Sequence, residues 1–105
     1  MDLAAALAHV RAAVVAGKLR LSEHVVDDKL EILDLYANDV FAIVADATIG
    51  KLVEATERRA DGSEKWKLCG YPASRREMMT AVVDLKTDGR AIVVTIHPYT
   101  AEDSE

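Results

Sequence analysis

The chain has 105 residues and a mass of 11.4 kDa; half of its residues are apolar, 30% are charged, and the formal net charge is −5. That length suits one domain with its own core, and the acidic balance counts against general nucleic-acid binding, which needs surplus Lys and Arg. A lone cysteine, Cys69, excludes an internal disulfide and a multi-cysteine zinc site, and no apolar run approaches the roughly 18 residues of a membrane span.

In chain order, Leu3, Leu7, Val10 and Val14 recur at helical spacing and predict a first helix with one apolar stripe, closed by Gly17. Leu19-Arg20-Leu21 alternates and suits a short extended piece. Ser22 can cap a second helix with Val26, Leu30 and Leu33 on one face. Asn38 or Asp39 can cap a third, with Val40, Ile43, Val44 and Ala47 facing inward. No Gly or Pro separates these two helices, so one bent helix is the alternative to a break near residues 35–38.

After Gly50 the period changes. Residues 51–57 suit a strand, residues 60–63 a turn, and residues 64–70 a half-exposed strand with Trp66 and Leu68 on one side and Lys65, Lys67 and Cys69 on the other. Residues 78–85 and 91–97 are the strongest strand signals, rich in Val, Ile and Thr, and Asp88-Gly89 between them marks a tight hairpin. Pro98 ends the last strand. The expected fold is α+β: two to three N-terminal helices packed on one face of a four-stranded antiparallel sheet. Residues 1–101 form that single domain, and residues 102–105, with Glu102, Asp103 and Glu105, form a frayed acidic tail.

Helices on one face leave the other open to solvent or ligand. Alternation sends Ile92, Val94 and Ile96 toward the helices and Val93, Thr95 and His97 to the open face, which Lys67 shares. Residues 58–76 hold six cations against two carboxylates, a local balance of +4 that points to an anionic ligand; the alternative is a solvated hairpin of mixed charge. No phosphate-loop, dinucleotide, zinc-protease or nucleophile-elbow motif is present, so no cofactor is expected. The three histidines are far apart and show no metal-ligand spacing, so no metal site is expected either. His9 lies beside the first apolar stripe and reads as a boundary residue. His24 follows the Ser22 cap at a helix start, where it either serves an anion site or bonds to neighbouring backbone. His97 stands at a strand end, as a general acid or base or as an anchored terminal residue. Cys69 reads as a small hydrophobe and Met78-Met79 as core filling.

Metal-independent RNA cleavage fits these residue types. The 2′-hydroxyl attacks its own 3′-phosphate, and the site needs a base, a cation for the added charge and an acid for the leaving oxygen. His97, Lys67, Arg58, Arg76 and Tyr99 supply such groups.

The order of parts also carries a resemblance. Residues 10–18 (VRAAVVAGK), the extended LRLSEH, the helical VVDDKLEIL, then DVFAIVADAT and a run of strands with E-K-W-K-L resemble the MqsR-type toxins of the RelE/ParE-like superfamily. Ser22-Glu23-His24 also resembles the S-x-H motif that a group of uncharacterised bacterial proteins carries at a helix start. The resemblance spans residues 8–99. It implies a ribonuclease toxin acting on messenger RNA, neutralised by a protein antitoxin of the MqsA-like zinc-finger type. In the family pattern a lysine falls where this chain has Leu52-Val53-Glu54-Ala55, a glutamine falls on Lys67 and a tyrosine falls near Met79. The residues expected to act are therefore His24, Lys67, His97 and Tyr99 in catalysis and Arg58, Arg59 and Arg76 on phosphate. The alternative is a non-catalytic module on the same fold that binds a protein partner. A cytoplasmic location is expected, since Met1-Asp2-Leu3 lacks the basic start of a signal peptide and a lone cysteine suits a reducing compartment.

Overall fold

The structure, a computed structural model, describes residues 1–53 and 61–104. Helix α1 (Leu3–Val15) is capped by Asp2, whose side chain accepts from Ala5 N–H at 2.8 Å, and it ends at Gly17 in a left-handed conformation (φ 71°). Strand β1 (Leu19–Leu21) follows. A π-helical turn (Val25–Lys29) then runs into the short α2 (Leu30–Leu33), which stops at Asp34, a left-handed residue with φ 54°. Helix α3 is Ala37–Ala45. Four strands complete the sheet: β2 (Ile49–Leu52), β3 (Glu64–Gly70), β4 (Met79–Leu85) and β5 (Ala91–Pro98). A 3-10 turn at Ala101–Ser104 closes the described chain.

The helices pack on the sheet as expected, but the sheet has five strands in the order β1-β5-β4-β3-β2. It is mixed, not antiparallel throughout, because β1 pairs with β5 in parallel, Leu19 opposite Ala91. The three-residue LRL piece thus completes one edge of the sheet. The first expected strand, residues 51–57, starts earlier at Ile49, and its positions 54–57 lie outside the described residues.

One apolar cluster lies between the layers. It takes Ala6, Val10 and Ala13 from α1, Val40, Ile43 and Val44 from α3, and Trp66, Leu68, Met79, Ala81, Val83, Leu85, Val93 and Ile96 from the sheet. The α1 stripe is therefore centred on Ala6, Val10 and Ala13, with Leu3, Leu7 and Val14 packed against its rim. Alanine lets the helix axis come close to the sheet. The second helix differs from expectation: Val25 is fully buried and Val26 is 51% exposed. A π-turn adds a residue to the helical turn, which rotates the inward position back by one. In α3 the expected inward residues Val40, Ile43 and Val44 are fully buried, as is Ala47, which lies just past the end of the helix.

A β-bulge decides which side chains reach the other face. Val82 pairs with Thr95 and Val83 with Val93, so Val94 is the extra residue on β5. Val93 and Ala91 accordingly face the helices, where Ile92 and Val94 were expected. After the bulge the phase resets, Ile96 turns inward, and Thr95 and His97 turn outward. Ser22 fixes this irregularity. Its hydroxyl donates to the Val94 carbonyl at 2.9 Å and accepts from Val25 N–H at 3.2 Å, so one side chain serves both bulge and helix start.

Candidate functional site

Cross-strand partners share a face, so the register assembles the outer surface. Lys67 lies opposite Val82, and Val82 opposite Thr95; Cys69 lies opposite Thr80, and Thr80 opposite His97. Lys51 on β2 is the neighbour of Lys67 on its other side. Lys67 and His97 therefore share a face, as the alternation predicted, although the bulge is what brings His97 there.

The surface is not bare. The Ala101–Ser104 turn folds back over it, and Asp103, only 2% exposed, sits at the centre of a polar cluster. Its carboxylate accepts from Lys67 Nζ at 3.2 Å, Thr80 Oγ1 at 2.8 Å and Thr100 N–H at 3.0 Å, and it lies 3.2 Å from His97 Nε2. Burial acts to raise the Asp103 pKa. The bonds from Thr100, Thr80 and Lys67, together with the nearby His97, outweigh burial and hold the carboxyl well below the ordinary carboxylate range. The frayed acidic tail expected at residues 102–105 is thus replaced, through Ser104, by an anchored turn.

Two further groups follow from the same anchor. Cys69 Sγ lies 3.5 Å from Thr80 Oγ1. Because the Thr80 proton is committed to Asp103, the thiol donates to the hydroxyl, and burial pushes the Cys69 pKa up, which suits an inert thiol. Tyr99 OH lies 2.7 Å from Ser104 Oγ, which itself donates to the Ala101 carbonyl at 3.2 Å. Tyr99 is therefore the donor of its pair, held in the turn that carries Asp103.

The remaining expected site residues are elsewhere. His24 pairs with Asp28, 3.3 Å away and one helical turn on, with both side chains more than half exposed. Arg76 is exposed in the loop between β3 and β4, which meets β5 where Tyr99 N–H donates to the Met78 carbonyl. Arg58, Arg59 and Glu54 lie outside the described residues. Arg75 turns to the helix side, bonding the Asp34 carbonyl at 2.9 Å. Beside it, Asp39 accepts from Tyr36 N–H at 2.8 Å and from Ser74 N–H and Oγ at 3.0 and 2.8 Å. The Tyr36 bond does most to lower the Asp39 pKa. The +4 segment is thus divided between faces.

Asp103 and Thr80 are the members that sequence reading missed. A signal for the first was present: Thr100-Ala-Glu-Asp103 has capping-box spacing, and the Asp103 carboxylate reaches back to Thr100 N–H as that motif requires. Among the described residues, no group of three or more His, Cys, Asp and Glu side chains is placed to hold a metal ion, and no helix is long and apolar enough to cross a membrane.

Compared with protein-family models, curated proteins and solved structures, the chain matches none of them.

Proposed function

We propose that the protein is a toxin-type endoribonuclease that cleaves messenger RNA without a metal, on a fold of the RelE/MqsR kind, and that a zinc-finger antitoxin of the MqsA-like type is its partner. The observation that carries this reading is the meeting of Lys67 and His97 at one buried carboxylate on the outer sheet face. A carboxylate facing Nε2 favours the tautomer with its proton on that nitrogen, leaving Nδ1 as the acceptor. Nδ1 of His97 then takes the proton of the 2′-hydroxyl as that oxygen attacks the adjacent phosphorus. Lys67 opposes the charge gained by the phosphate, and Tyr99, releasing its bond to Ser104, protonates the departing 5′-oxygen. The products are a 2′,3′-cyclic phosphate and a 5′-hydroxyl end. Arg76, exposed on the neighbouring loop, serves a flanking phosphate. His24, tied to Asp28, takes no part in the step.

RNA oligonucleotides incubated with the purified protein in EDTA test this reading. Cleavage leaving cyclic phosphate ends is expected, with losses of roughly 100-fold or more for His97→Ala and Lys67→Ala. No cleavage at enzyme excess refutes it. A second reading has its own support: Asp103 already neutralises Lys67, and the chain carries a net charge of −5. Both suit a non-catalytic module that binds a protein partner. Silent nuclease assays together with one tight protein partner select that reading.

A further inference from the structure

At the sheet edge away from β2, the turn from α1 to β1 and the hairpin from β4 to β5 enclose a cleft of about 360 Å³ lined by Lys18, Arg20, Asp88 and Arg90. Three cations against one carboxylate is a concentrated positive site on an acidic protein. The two guanidinium groups are held from behind. Arg20 donates through one terminal nitrogen to the Gly17 and Leu19 carbonyls at 2.7 and 3.1 Å. Arg90 donates through Nε to Asp88 at 2.8 Å, and its own N–H bonds the same side chain at 3.1 Å. The Arg90 carbonyl is in turn bonded to His9 of α1. Each arginine has guanidinium N–H groups beyond those used in these bonds. Guanidinium groups fixed this way lose little freedom on binding an anion, and their fork geometry matches phosphate oxygens.

A second hollow, of about 220 Å³, adjoins the first through Arg20, which lines both; its other walls are Val14, Gly17, Leu19 and Phe41. It is an apolar chamber with an aromatic ring beside a cationic one. Both together are within the roughly 300–1,000 Å³ of small-molecule sites, which pair an apolar lining with a few placed polar groups. We infer that this edge of the sheet binds an organic phosphate of the nucleoside-phosphate class, with its phosphates on Lys18, Arg20 and Arg90 and its flat apolar part on Val14 and Phe41. The site is separate from the Lys67–His97 cluster and does not depend on RNA cleavage.

Nitrogen–proton correlation spectra of the full chain, titrated with ADP, inorganic pyrophosphate and adenosine, test this. ADP is expected to move the amides of residues 14–20, 41 and 88–90 with a dissociation constant on the order of 0.1–1 mM, and to bind about 10-fold more tightly than pyrophosphate or adenosine. Arg20→Gln should weaken ADP about 10-fold while leaving distant amides unmoved, which shows an intact fold. A 5′-phosphorylated oligoribonucleotide in a parallel titration separates a free nucleotide from the end of an RNA chain as the source: the one that moves these amides at the lower concentration is the natural ligand. No shift with ADP up to roughly 10 mM overturns the inference, as does ADP binding no better than pyrophosphate, or binding unchanged by Arg20→Gln.

Discussion

Replacing Asp103 tests both how the C-terminal turn is held and how the outer face is organised. In Asp103→Ala the Thr80 hydroxyl, fully buried, loses its acceptor, Lys67 loses its counter-charge and His97 loses the carboxylate that faces Nε2. A hydrogen bond to a charged group contributes about 1.5–3 kcal/mol, and removing one partner of a buried ionic contact costs about 3–5 kcal/mol. Lys67 and His97 are partly solvated, with side-chain exposures of 28% and 34%, so water recovers part of their loss. The expected destabilisation is therefore about 3 kcal/mol, at the lower end of that range, and it lowers Tm by roughly 12–15 °C for a domain of this size. Asp103→Asn keeps an acceptor for Thr80 and Thr100 but not the charge, and should cost about half as much.

Urea unfolding across pH separates the charge from the packing. The folded pKa of Asp103 lies below its unfolded value of about 3.9, so its ionic contribution is complete above that value and is lost as pH falls toward the folded pKa. The stability gap between the native chain and Asp103→Asn should narrow below about pH 4. A gap under about 1 kcal/mol for Asp103→Ala, or a difference that does not change on acidification, refutes the anchored turn.

Two more outcomes follow from local geometry. A Cβ at Gly70 would run into the Ile43 carbonyl of α3, so Gly70→Ala must push helix and sheet apart; a cost of about 1–3 kcal/mol or more is expected from urea midpoints, and a neutral result contradicts the close packing. The Asp61 carboxyl is held down to about 2, chiefly by the Ser63 hydroxyl at 2.7 Å and next by the Ser63 N–H. Carboxyl-carbon NMR titration should find it there and find it moved toward 3.8 in Ser63→Ala, which loses the hydroxyl and keeps the N–H.

Much of the fold was legible because local pattern and tertiary role agree. The third helix has its inward face where its apolar spacing put it, and β3 begins and ends where alternation and Gly70 suggested. Asp88-Gly89 forms the hairpin, with Gly89 at φ 92° and Lys86 N–H bonded to the Arg90 carbonyl. The misreadings arise where pairing is non-local. Leu19-Arg20-Leu21 is too short to announce a strand, and it becomes one because β5 offers a free edge beside it. The bulge was invisible because Ile92-Val93-Val94-Thr95 is apolar or β-branched at every position, so no polar residue marks the phase change. The π-turn was hidden similarly: Val25 and Val26 are interchangeable in a periodicity count.

For the site, the same bulge supplies the decisive step. Simple alternation put Val93 and His97 on one face, yet Val93 is fully buried among the core residues while His97 reaches Asp103. Without the extra residue at Val94, an inward Val93 would require an inward His97, and an imidazole would replace apolar volume beneath the helices. With it, β5 fills the core along its first half and offers a titratable group at its far end. Ser22 stabilises that arrangement through the Val94 carbonyl. The serine of the S-x-H motif therefore helps set which way His97 faces, although its histidine is bonded to Asp28. Ser22→Ala should consequently loosen the bulge and weaken the His97–Asp103 contact, a coupling that a double-mutant cycle with Asp103→Asn reads directly. A coupling near zero refutes the link.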